Sequence, residues 1–435
     1  MKFCVQPGGS LTGRIRVPGD KSMSHRSVML GALAEGQTQV SGFLEGEDAL
    51  ATVAAFRAMG VKIEGPDNGK LFIEGVGLNG LVAPEHALDM GNSGTSMRLL
   101  AGLLAGQEFT ATLTGDESLC KRPMGRVISP LERMGAVIAS EPEGRPPLII
   151  YGQGTLRGIH YDLPMASAQV KSCVLLAGMY AEGRTSVTEP APTRDHTERM
   201  LRGFGYNVER RNGVISLEGG GSLKGSTIDI PADVSSAAFF LVGASISPGS
   251  DLTLEHVGMN PTRIGVLNIL GLMGADIQVL NEREVGGEPV ADLRVRHAPL
   301  KGIQIPEEEV PLAIDEFPAL FIAAACAEGR TVLTGAEELR VKESDRIASM
   351  AEGLTTLGIQ NQVRPDGIVI EGGTLGGGAV STYHDHRIAM SFAIAGLRAS
   401  SPIDVLDCDH VTTSFPGFAV LASKAGLLLH EAADA

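Results

Sequence analysis

The chain has 435 residues, of which 43% are hydrophobic and 20% charged, a composition typical of a globular protein long enough for two domains. Its formal net charge of -15 excludes a bulk electrostatic grip on nucleic acid or on an acidic membrane, because both need a broad positive field. No stretch approaches the roughly 20 apolar residues of a membrane span, and the N-terminal segment has no apolar signal core, so we expect a cytoplasmic protein. The five cysteines lie far apart without a CxxC pair, which indicates neither a disulfide framework nor a zinc site.

One pattern recurs six times along the chain. It consists of a polar cluster, an apolar helical run rich in Ala and Leu, a break of small residues, a β-rich stretch and a second helix that ends near a glycine. In chain order, the six copies begin at Asp20, Gly91, Ala166, Ala232, Ile314 and His384. The first closes with FRAMG at Gly60, the second with LERMG at Gly135 and the sixth with LASKAG at Gly426.

The stretches between the copies alternate β-branched residues and predict strand pairs around turns, for example in 61–74, 137–151 and 213–218. Each copy is therefore a βαβαββ-like unit. Its first helix is apolar nearly all round, as in LLAGLLAG, so we expect that helix to be buried. One copy cannot bury its own helix and strands, whereas stacked copies can. An inert repeat scaffold is the alternative interpretation.

The starts of the apolar helices carry more charge than a structural cap requires. Because helix N-termini expose unpaired N–H groups, several that converge would bind anions. Lys21, Ser22 and Arg26 form one such start. The small residues of 91–96 would let a ligand oxygen approach the backbone, although a loop that needs positive φ explains them equally well. Arg122 follows the second copy's strand and, alone, is more often a solvated charge.

The fifth and sixth copies add further cations. The segment 340–346 contains three cations and two acids. If its second half opens a helix, Lys342 and Arg346 share a face and repel each other unless an anion lies between them, while neutralisation by the acids is the structural alternative. Segment 385–387 puts Arg387 at a helix start, an unfavourable dipole placement that favours anion binding. The fourth start, 233–236, carries no cation, and we expect it to be the least involved.

Seven segments of the chain match a known family. In order from Pro18 to Met390 they are PGDKSMSHR, GNSGTSMR, CKRPM, SAQVKS, DEFPAL, LRVKESDR and DHRIAM. Together they closely resemble the 5-enolpyruvylshikimate-3-phosphate synthases over nearly the whole chain. The SAQVKS and TRDHTERM segments are more similar to the second sequence class of that family than to the first.

The resemblance implies an α/β fold with an inside-out, two-domain architecture of six βαβαββ-like repeats, three per domain. The lower domain would take residues 1–18 and 230–435, and the upper domain 19–229. The chain would pass between them twice, and the active site would lie in the cleft between the domains.

The resemblance also implies two substrates and their contacts. The residues expected to contact shikimate 3-phosphate are Lys21, Ser22, Arg26, Ser167, Ala168, Gln169, Arg194, Asp315 and Lys342. Those expected to contact phosphoenolpyruvate are Lys21, Gly94, Arg122, Gln169, Arg346 and Arg387. Guanidinium groups suit this task because they hold carboxylate and phosphate in a planar, bidentate manner.

The family reaction adds the 5-hydroxyl of shikimate 3-phosphate to C2 of phosphoenolpyruvate while C3 takes a proton; phosphate then leaves and C3 gives a proton back. Asp315 is the candidate that orients or deprotonates the hydroxyl. Lys21 and Glu343 are the candidates for proton transfer at C3 and at the leaving phosphate. This chemistry requires no metal or organic cofactor. We expect a monomer without a nucleic-acid or membrane partner.

The chain departs from the family pattern at two places. Thr412 and Thr413 stand where the first class has a lysine before its TFPD segment, so one phosphate contact is missing or replaced. Cys120 replaces the usual arginine before KRPM. Glyphosate inhibits this family at the phosphoenolpyruvate subsite, and tolerant members of the second class commonly carry alanine at the position of Gly94. Because this chain keeps Gly94, we expect inhibition, weakened by the lysine missing at Thr413.

Two other functions fit parts of the sequence. The UDP-N-acetylglucosamine enolpyruvyl transferases share the fold but carry a reactive loop cysteine several residues before an ArgPro pair. Cys120 lies only two residues before Arg122, and Glu117 stands where that nucleophile is expected. A non-catalytic, anion-binding repeat module would keep the glycine-rich starts but would need neither Asp315 nor Glu343.

Overall fold

The computed structural model describes residues 1–152 and 154–433. The chain forms two compact units. The terminal unit comprises Met1–Pro18 together with the chain from Pro231 onward, and the middle unit is Gly19–Ile230. Ile230, which the sequence placed at the start of the second lower-domain segment, lies in the middle unit, where its N–H donates to the Ser41 carbonyl at 2.8 Å. None of the helices in the described ranges has the length and hydropathy of a membrane span.

The helices follow the predicted alternation of a buried first helix and a second helix in each copy. In chain order they are α1 (Lys21–Ala32), α2 (Glu47–Ala58), α3 (Gly94–Ala105), α4 (Glu117–Cys120), α5 (Gly125–Arg133), α6 (Ala168–Gly178), α7 (His196–Gly203), α8 (Val234–Ile246), α9 (Gly265–Leu272), α10 (Phe317–Cys326), α11 (Arg346–Thr356), α12 (His386–Ala395) and α13 (Phe418–Ala425).

The strands are short and lie between these helices. In chain order they are β1 (Lys2–Gly9), β2 (Thr12–Ile15), β3 (Ala34–Ser41), β4 (Lys62–Asp67), β5 (Lys70–Val76), β6 (Leu88–Asp89), β7 (Ala111–Thr114), β8 (Val137–Glu141), β9 (Arg145–Tyr151), β10 (Leu156–Arg157), β11 (His160–Asp162), β12 (Ala181–Glu182), β13 (Arg184–Thr188), β14 (Glu209–Arg211), β15 (Val214–Glu218), β16 (Leu223–Lys224), β17 (Thr227–Asp229), β18 (Asp251–Gly258), β19 (Asp276–Val285), β20 (Glu288–Arg296), β21 (Arg330–Leu333), β22 (Asn361–Arg364), β23 (Gly367–Glu371), β24 (Gly378–Ser381), β25 (Ile403–Leu406) and β26 (Leu427–Ala432).

The same small sheet recurs in both units. Two strands run parallel, and the second of them pairs with an antiparallel hairpin, as in the orders β6-β7-β9-β8 and β11-β13-β15-β14 of the middle unit. The terminal unit repeats it in β2-β18-β20-β19. In β24-β25-β1-β26 the antiparallel pair is formed by β1 and β26, which are far apart in the chain, instead of by a hairpin. The fifth copy has β21-β23-β22, and Gln304 supplies the parallel partner by bridging to Val332. The six βαβαββ-like copies predicted from the sequence are present, three in each unit.

Three of these sheets borrow a strand from a distant part of the sequence. β17 pairs in parallel with β3, with Ile228 opposite Val40, and completes the first copy's sheet after the third copy has ended. β2 pairs in parallel with β18 of the fourth copy. β1 lies between β25 and β26, with Phe3 opposite Val405. Each borrowed strand satisfies backbone groups that would otherwise be left unpaired at a sheet edge.

Each unit has its own apolar core around the first helices of its copies. α1, α3 and α6 lie in the core of the middle unit, and α8, α10 and α12 lie in that of the terminal unit. All residues of α8 are buried. A Cβ at Gly102 of α3 would collide with the Cys173 carbonyl of α6, so the absent side chain allows these two helix backbones to approach closely. The predicted burial of the apolar helices is confirmed.

A glycine with positive φ follows the second helix of each copy. The φ values range from 83° to 122° at Gly60, Gly135, Gly205, Gly274, Gly358 and Gly426. Glycine adopts this conformation without a Cβ penalty and therefore ends the helix sharply. The second helix thus stops at a fixed point, and the chain turns back into an antiparallel strand of its sheet.

Candidate active site

Three buried helices of the middle unit begin close together. Nδ1 of His25 on α1 is 3.2 Å from the Ser96 hydroxyl of α3. Arg98 of α3 donates to the Gln169 side-chain carbonyl of α6 at 2.6 Å, and the Gln169 amide donates to Thr95 at 3.0 Å. The N-termini of α1, α3 and α6 therefore meet, and their partial positive charges add at one end of the unit.

Lys21 is the first residue of α1 and is held by an acidic partner. The Asp20 side chain caps the helix by accepting the N–H of Met23 at 2.8 Å. The Lys21 ammonium forms an ion pair with the Asp48 carboxylate at the first turn of α2. Asp48 is buried, whereas Lys21 keeps about a fifth of its side chain exposed, so this cation is both positioned and accessible.

Arg26 lies deeper, between three helices. Its side chain is buried, and its guanidinium donates to the Thr197 hydroxyl at 2.7 Å, the Ser172 hydroxyl at 2.9 Å and the Ser22 carbonyl at 2.9 Å. These contacts connect α1 with α6 and α7. The predicted shikimate 3-phosphate contacts Ser22 and Arg26 are therefore part of one fixed network.

Gly94 is the first residue of α3, which the Ser93 hydroxyl caps. A Cβ on Gly94 would lie 2.8 Å from one terminal nitrogen of Arg98 and 3.4 Å from one of Arg122. Two guanidinium groups therefore lie against the glycine. The Arg122 side chain donates to the Asn92 side-chain carbonyl at 2.6 Å, which fixes its position beside the start of α3.

The remaining predicted residues of the middle unit lie at the starts of α6 and α7. Ser167 caps α6, and Ala168 and Gln169 are its first two residues, all of them half-buried. Arg194 is half-buried in the segment that leads into α7, three residues before the Thr197 that binds Arg26. We call the following set the middle-unit cluster: Lys21, Ser22, Arg26, Gly94, Arg122, Ser167, Ala168, Gln169 and Arg194.

The sequence analysis assigned no individual role to four residues that hold this cluster. Asp48 pairs with Lys21, and Arg98 binds Gln169. Asn92 bridges Arg122 to the Asp116 carboxylate, to which its amide donates at 2.7 Å. A signal existed for Arg98, because it stands four residues after Gly94 on one helix face. Asp48 and Asp116 contact residues that are distant in the sequence, Lys21 and Asn92, and no local pattern indicated these contacts.

In the terminal unit, one buried guanidinium collects three carboxylates. Arg346 lies 2.8 Å from Asp385, 2.6 Å from Glu343 and 3.2 Å from Asp315, and its side chain is 1% exposed. Burial lowers the pKa of the guanidinium, but the attraction of Asp385, Glu343 and Asp315 outweighs burial and raises the pKa above its ordinary value. Arg346 is therefore permanently charged and fixes the two predicted proton-transfer residues of this unit.

Lys342 does not share a helix face with Arg346. A short 3-10 helix spans Glu337–Val341, and α11 begins only at Arg346, so the helical arrangement considered from the sequence does not form. Carboxylates face both cations instead, but of the two acids in segment 340–346 only Glu343 faces Arg346, and the partners of Lys342 lie outside the segment. The Lys342 ammonium lies 2.9 Å from Glu338 and 3.5 Å from the same Asp315 oxygen that faces Arg346. Burial lowers the pKa of Lys342, but Asp315 and Glu338 raise it more, and the net pKa is raised.

Asp385 links α11 to α12. Its side chain caps α12 by accepting the N–H of Arg387 at 2.9 Å, and it also accepts the Ser344 hydroxyl at 3.1 Å and the Arg346 guanidinium. Burial raises the pKa of this carboxyl, but the positive charge of Arg346 overcomes burial and leaves the pKa below its ordinary value. The predicted cation at the start of α12 is thus fixed by a charged cap.

The start of α8, expected to be the least involved, is connected to the same region. Arg263 donates to Asp233 at 2.9 Å and to the Ser235 hydroxyl at 2.6 Å, and Ser235 in turn donates to the buried Glu316 carboxylate. Glu316 lies 4.0 Å from the Arg387 guanidinium. Arg263 brings to the fourth copy the cation that its own start lacks, which the sequence analysis did not consider.

The fifth helix start differs from the others in its cap. Side chains cap the first helix of the other copies, and these are Asp20, Ser93, Ser167, Asp233 and Asp385. Glu316 stands at the cap position of α10 without a side-chain hydrogen bond to its own helix. The carboxylates of Asp315 and Glu316 therefore face cations rather than helix N–H groups. We call the set Asp315, Lys342, Glu343, Arg346 and Arg387 the terminal-unit cluster.

The two departures from the family pattern are neutral side chains in this structure. The Thr413 hydroxyl donates to the His410 carbonyl at 2.7 Å, so it turns back onto its own 3-10 helix. The Cys120 thiol donates to the Gly115 carbonyl at 3.3 Å. In the described part of the chain, no group of three or more His, Cys, Asp or Glu side chains is arranged to hold a metal ion.

Comparison with known proteins gives one consistent result. The sequence model of the EPSP synthases (3-phosphoshikimate 1-carboxyvinyltransferases) matches residues 5–420. The 3-phosphoshikimate 1-carboxyvinyltransferase of Alkalilimnicola ehrlichii is 69% identical over 430 residues, which cover 99% of this chain and 96% of that protein. That of Methylococcus capsulatus is 67% identical, with 98% and 97% covered.

The fold agrees with this result. The 2.37 Å structure of an EPSP synthase from Acinetobacter baumannii is 60% identical, covers 99% of both chains and has a TM-score of 0.90. The chain belongs to the EPSP synthase family. The resemblance inferred from seven sequence segments and the predicted α/β fold class are both confirmed.

Proposed function

We propose that this chain transfers the enolpyruvyl group of phosphoenolpyruvate to the 5-hydroxyl of shikimate 3-phosphate and releases phosphate. Its family and its relatives of 67% and 69% identity support this activity. One structural observation supports it most directly: Asp315 lies against both Lys342 and Arg346, and Arg346 also holds Glu343. A carboxylate fixed in this way can accept a hydroxyl hydrogen, which the addition step needs.

The proposal assigns every residue of the two clusters except Glu343 to a ligand. For shikimate 3-phosphate these are Lys21, Ser22, Arg26, Ser167, Ala168, Gln169, Arg194, Asp315 and Lys342. For phosphoenolpyruvate they are Lys21, Gly94, Arg122, Gln169, Arg346 and Arg387. Because both ligands are anions, the meeting helix N-termini and the guanidinium groups provide the matching charge.

The reaction needs two opposite proton transfers at C3. In the addition step, the 5-hydroxyl oxygen bonds to C2, its proton passes to a base and C3 gains a proton. In the elimination step, C3 loses a proton and the C2–O bond to phosphate breaks. Asp315 is placed to orient or deprotonate the hydroxyl, and Glu343 and Lys21 are the groups assigned to C3 and the leaving phosphate.

The Arg346 and Arg387 guanidinium groups face carboxylates of the protein itself. The carboxylate of phosphoenolpyruvate would therefore share these guanidinium groups with Glu343, Asp385 and Glu316. A planar guanidinium has five N–H donors, so it can hold a structural carboxylate and a ligand carboxylate together.

The assigned residues belong to both units. An active site in a cleft between a lower domain of residues 1–18 and 230–435 and an upper domain of 19–229 stays a prediction. A monomeric state, a cytoplasmic location and inhibition by glyphosate stay predictions too. Light scattering after size exclusion, cell fractionation and inhibition kinetics against phosphoenolpyruvate test these three.

A phosphate-release assay tests the proposed function. We expect phosphate only when phosphoenolpyruvate and shikimate 3-phosphate are both present, in equimolar amount with the enolpyruvyl product. Replacing shikimate 3-phosphate by UDP-N-acetylglucosamine is expected to abolish release. Release from phosphoenolpyruvate with the nucleotide sugar but not with shikimate 3-phosphate would favour the sister transferase. No release with either acceptor would favour a non-catalytic anion-binding module.

A further inference from the structure

Three charged side chains form a buried group in the middle unit, outside the residues assigned to either substrate. The Lys171 ammonium of α6 lies 2.8 Å from the Glu198 carboxylate of α7 and 3.1 Å from the Glu189 carboxylate, just after β13. Their side chains are 0%, 2% and 2% exposed. Arg210, more than a third exposed, lies 3.5 Å from the other oxygen of Glu189. We call Lys171, Glu189 and Glu198 the buried ion triad.

The buried ion triad holds the segment that carries Arg194. The Lys171 ammonium donates to the Thr193 carbonyl at 3.4 Å. Glu189 accepts the Thr193 N–H at 3.2 Å and the Thr193 hydroxyl at 2.5 Å. Arg194 follows directly, so the backbone from which its side chain extends is fixed on its N-terminal side.

The same triad adjoins the contacts of Arg26. Ser172 follows Lys171 and Thr197 precedes Glu198 in the sequence, and their two hydroxyls accept the Arg26 guanidinium. The Thr197 hydroxyl also donates to Ser172 at 2.7 Å. A shift between α6 and α7 would therefore move both oxygens that hold Arg26.

Apolar packing alone would join these two helices at less cost. Burying charged groups carries a large desolvation penalty, and well-packed hydrophobic residues in place of a buried ion pair are often equally or more stabilising. What the ions add is directionality, because each charged group accepts only a narrow set of partner positions. The triad thus does more than hold α6 and α7 together: it gives segment 189–198 a defined geometry.

We propose that Lys171, Glu189 and Glu198 are positioning residues for shikimate 3-phosphate. They touch neither substrate and act through Arg194 and Arg26, whose contacts with that ligand rest on the proposed function. Neither Arg194 nor Arg26 is assigned to phosphoenolpyruvate, so the triad affects the two substrates unequally.

The first test uses the mild, nearly isosteric variants Thr193→Val and Glu198→Gln. Thr193→Val removes the hydroxyl that Glu189 accepts and leaves all three ions in place. We expect the KM for shikimate 3-phosphate to rise about tenfold, the effect of one lost charge-assisted contact, while kcat and the KM for phosphoenolpyruvate stay within about threefold. Lys171→Met is expected to act in the same direction but to lower stability as well, because it leaves two buried carboxylates without their ammonium.

Thr185→Val is the matched control. Thr185 is buried in β13 of the same copy, and within the described residues its hydroxyl has no hydrogen-bond partner. We expect unchanged constants for both substrates. If Thr193→Val and Glu198→Gln change both KM values equally, or neither, the positioning role is overturned.

Hydrogen exchange provides a readout that does not depend on activity. We expect the amides of 189–198 to exchange faster in Thr193→Val and Glu198→Gln than in the wild type, and those of the terminal unit to be unchanged. Unchanged exchange in 189–198 contradicts the inference. A wild type without turnover contradicts the proposed function instead, and the exchange result then still tests whether the triad fixes the segment.

Discussion

Asp315 and Arg346 form an ion pair of 3.2 Å in which the guanidinium is almost fully buried and the carboxylate is partly accessible. The same oxygen of Asp315 lies 3.5 Å from the Lys342 ammonium. Arg346 keeps Glu343 and Asp385 as partners when Asp315 is removed. Asp315 can therefore be changed without leaving Arg346 as an isolated buried charge.

Asp315→Ala should abolish most of the turnover while the protein remains folded. A positioned proton-transfer group contributes about 10² to 10⁴ in rate, and we expect kcat to fall by that amount. Binding of shikimate 3-phosphate, measured by calorimetry, should remain detectable. Asp315→Asn is the matched control for shape, and we expect it to lose turnover as well. Near-normal kcat in either variant would remove Asp315 from the mechanism.

Gly94→Ala should weaken glyphosate more than phosphoenolpyruvate. The added methyl lies 2.8 Å from the end of Arg98, which must move, and comes into contact with Arg122 at 3.4 Å. A longer ligand tolerates the lost space less well than a shorter one. The inhibition constant and the KM are measured for the wild type and for this variant. Gly271→Ala is the control, because a Cβ at this exposed helix position meets nothing within 4 Å. Equal losses for the two ligands would show that Gly94 does not discriminate between them.

The free energy of unfolding should fall below about pH 6.5 through His25. Burial, followed by the charges of Lys21 and Arg26, lowers the pKa of this ring well below its ordinary 6.5. Below pH 6.5 the unfolded chain binds a proton at His25 that the folded chain does not, so stability declines as pH falls, and above pH 6.5 this contribution is constant. One such group contributes a slope of at most about 1.4 kcal/mol per pH unit.

His25→Asn is expected to flatten the pH dependence of stability between pH 7.5 and pH 5. Urea unfolding at several pH values measures it. The control is His86→Asn at an exposed position, which should leave the slope as in the wild type. The same slope in His25→Asn and the wild type would contradict a neutral buried His25.

Arg263→Met should raise the KM for phosphoenolpyruvate and lower stability. Arg263→Met removes the guanidinium that lies 2.9 Å from the buried Asp233 carboxylate, and Glu316, which is linked to Arg263 through Ser235, then attracts Arg387 more strongly. Removing one partner of a buried ion pair typically costs about 3 to 5 kcal/mol of stability. Urea unfolding and substrate kinetics measure the two effects.

The double variant Arg263→Met with Glu316→Gln separates the two effects of Arg263. Neutralising Glu316 should restore the KM for phosphoenolpyruvate toward the wild-type value, because Arg387 is then released. Part of the stability loss should remain, since Asp233 is still buried. Additive effects of the two changes on KM would show that Glu316 does not connect Arg263 to Arg387.

The starts of the buried helices could be read from the sequence, because apolar runs, caps and terminal glycines are local signals. Lys21, Gly94 and Arg387 stand where the sequence placed them, at the first or second residue of α1, α3 and α12. The partners of these residues could not be read in the same way. Asp385 binds Arg346 across 39 positions, and no local pattern encodes that pairing.

The pairing of strands from distant segments could not be predicted from the sequence either. β1, β2 and β17 are ordinary alternating stretches, and nothing local tells which sheet each one joins. The helical arrangement considered for Lys342 and Arg346 does not form, for a related reason. Helix spacing suggested a shared face, but the 3-10 helix at Glu337–Val341 ends before Lys342. α11 begins only at Arg346, where the Asp345 side chain caps it by accepting the Ala348 N–H at 3.0 Å.

The chain leaves the terminal unit after Pro18 and returns to it after Ile230, and in each unit the chain ends on the two sides of this boundary lie close together. In the middle unit, a Cβ on Gly19 would lie 3.3 Å from a methyl of Ile230, so the two ends of this unit adjoin. In the terminal unit, the N–H of Asp233 donates to the Pro18 carbonyl at 2.9 Å. A minimal linker could therefore join residues 19 and 230 in a circularly permuted form of the middle unit. A short turn from Pro18 to Pro231 would make the terminal unit one uninterrupted polypeptide.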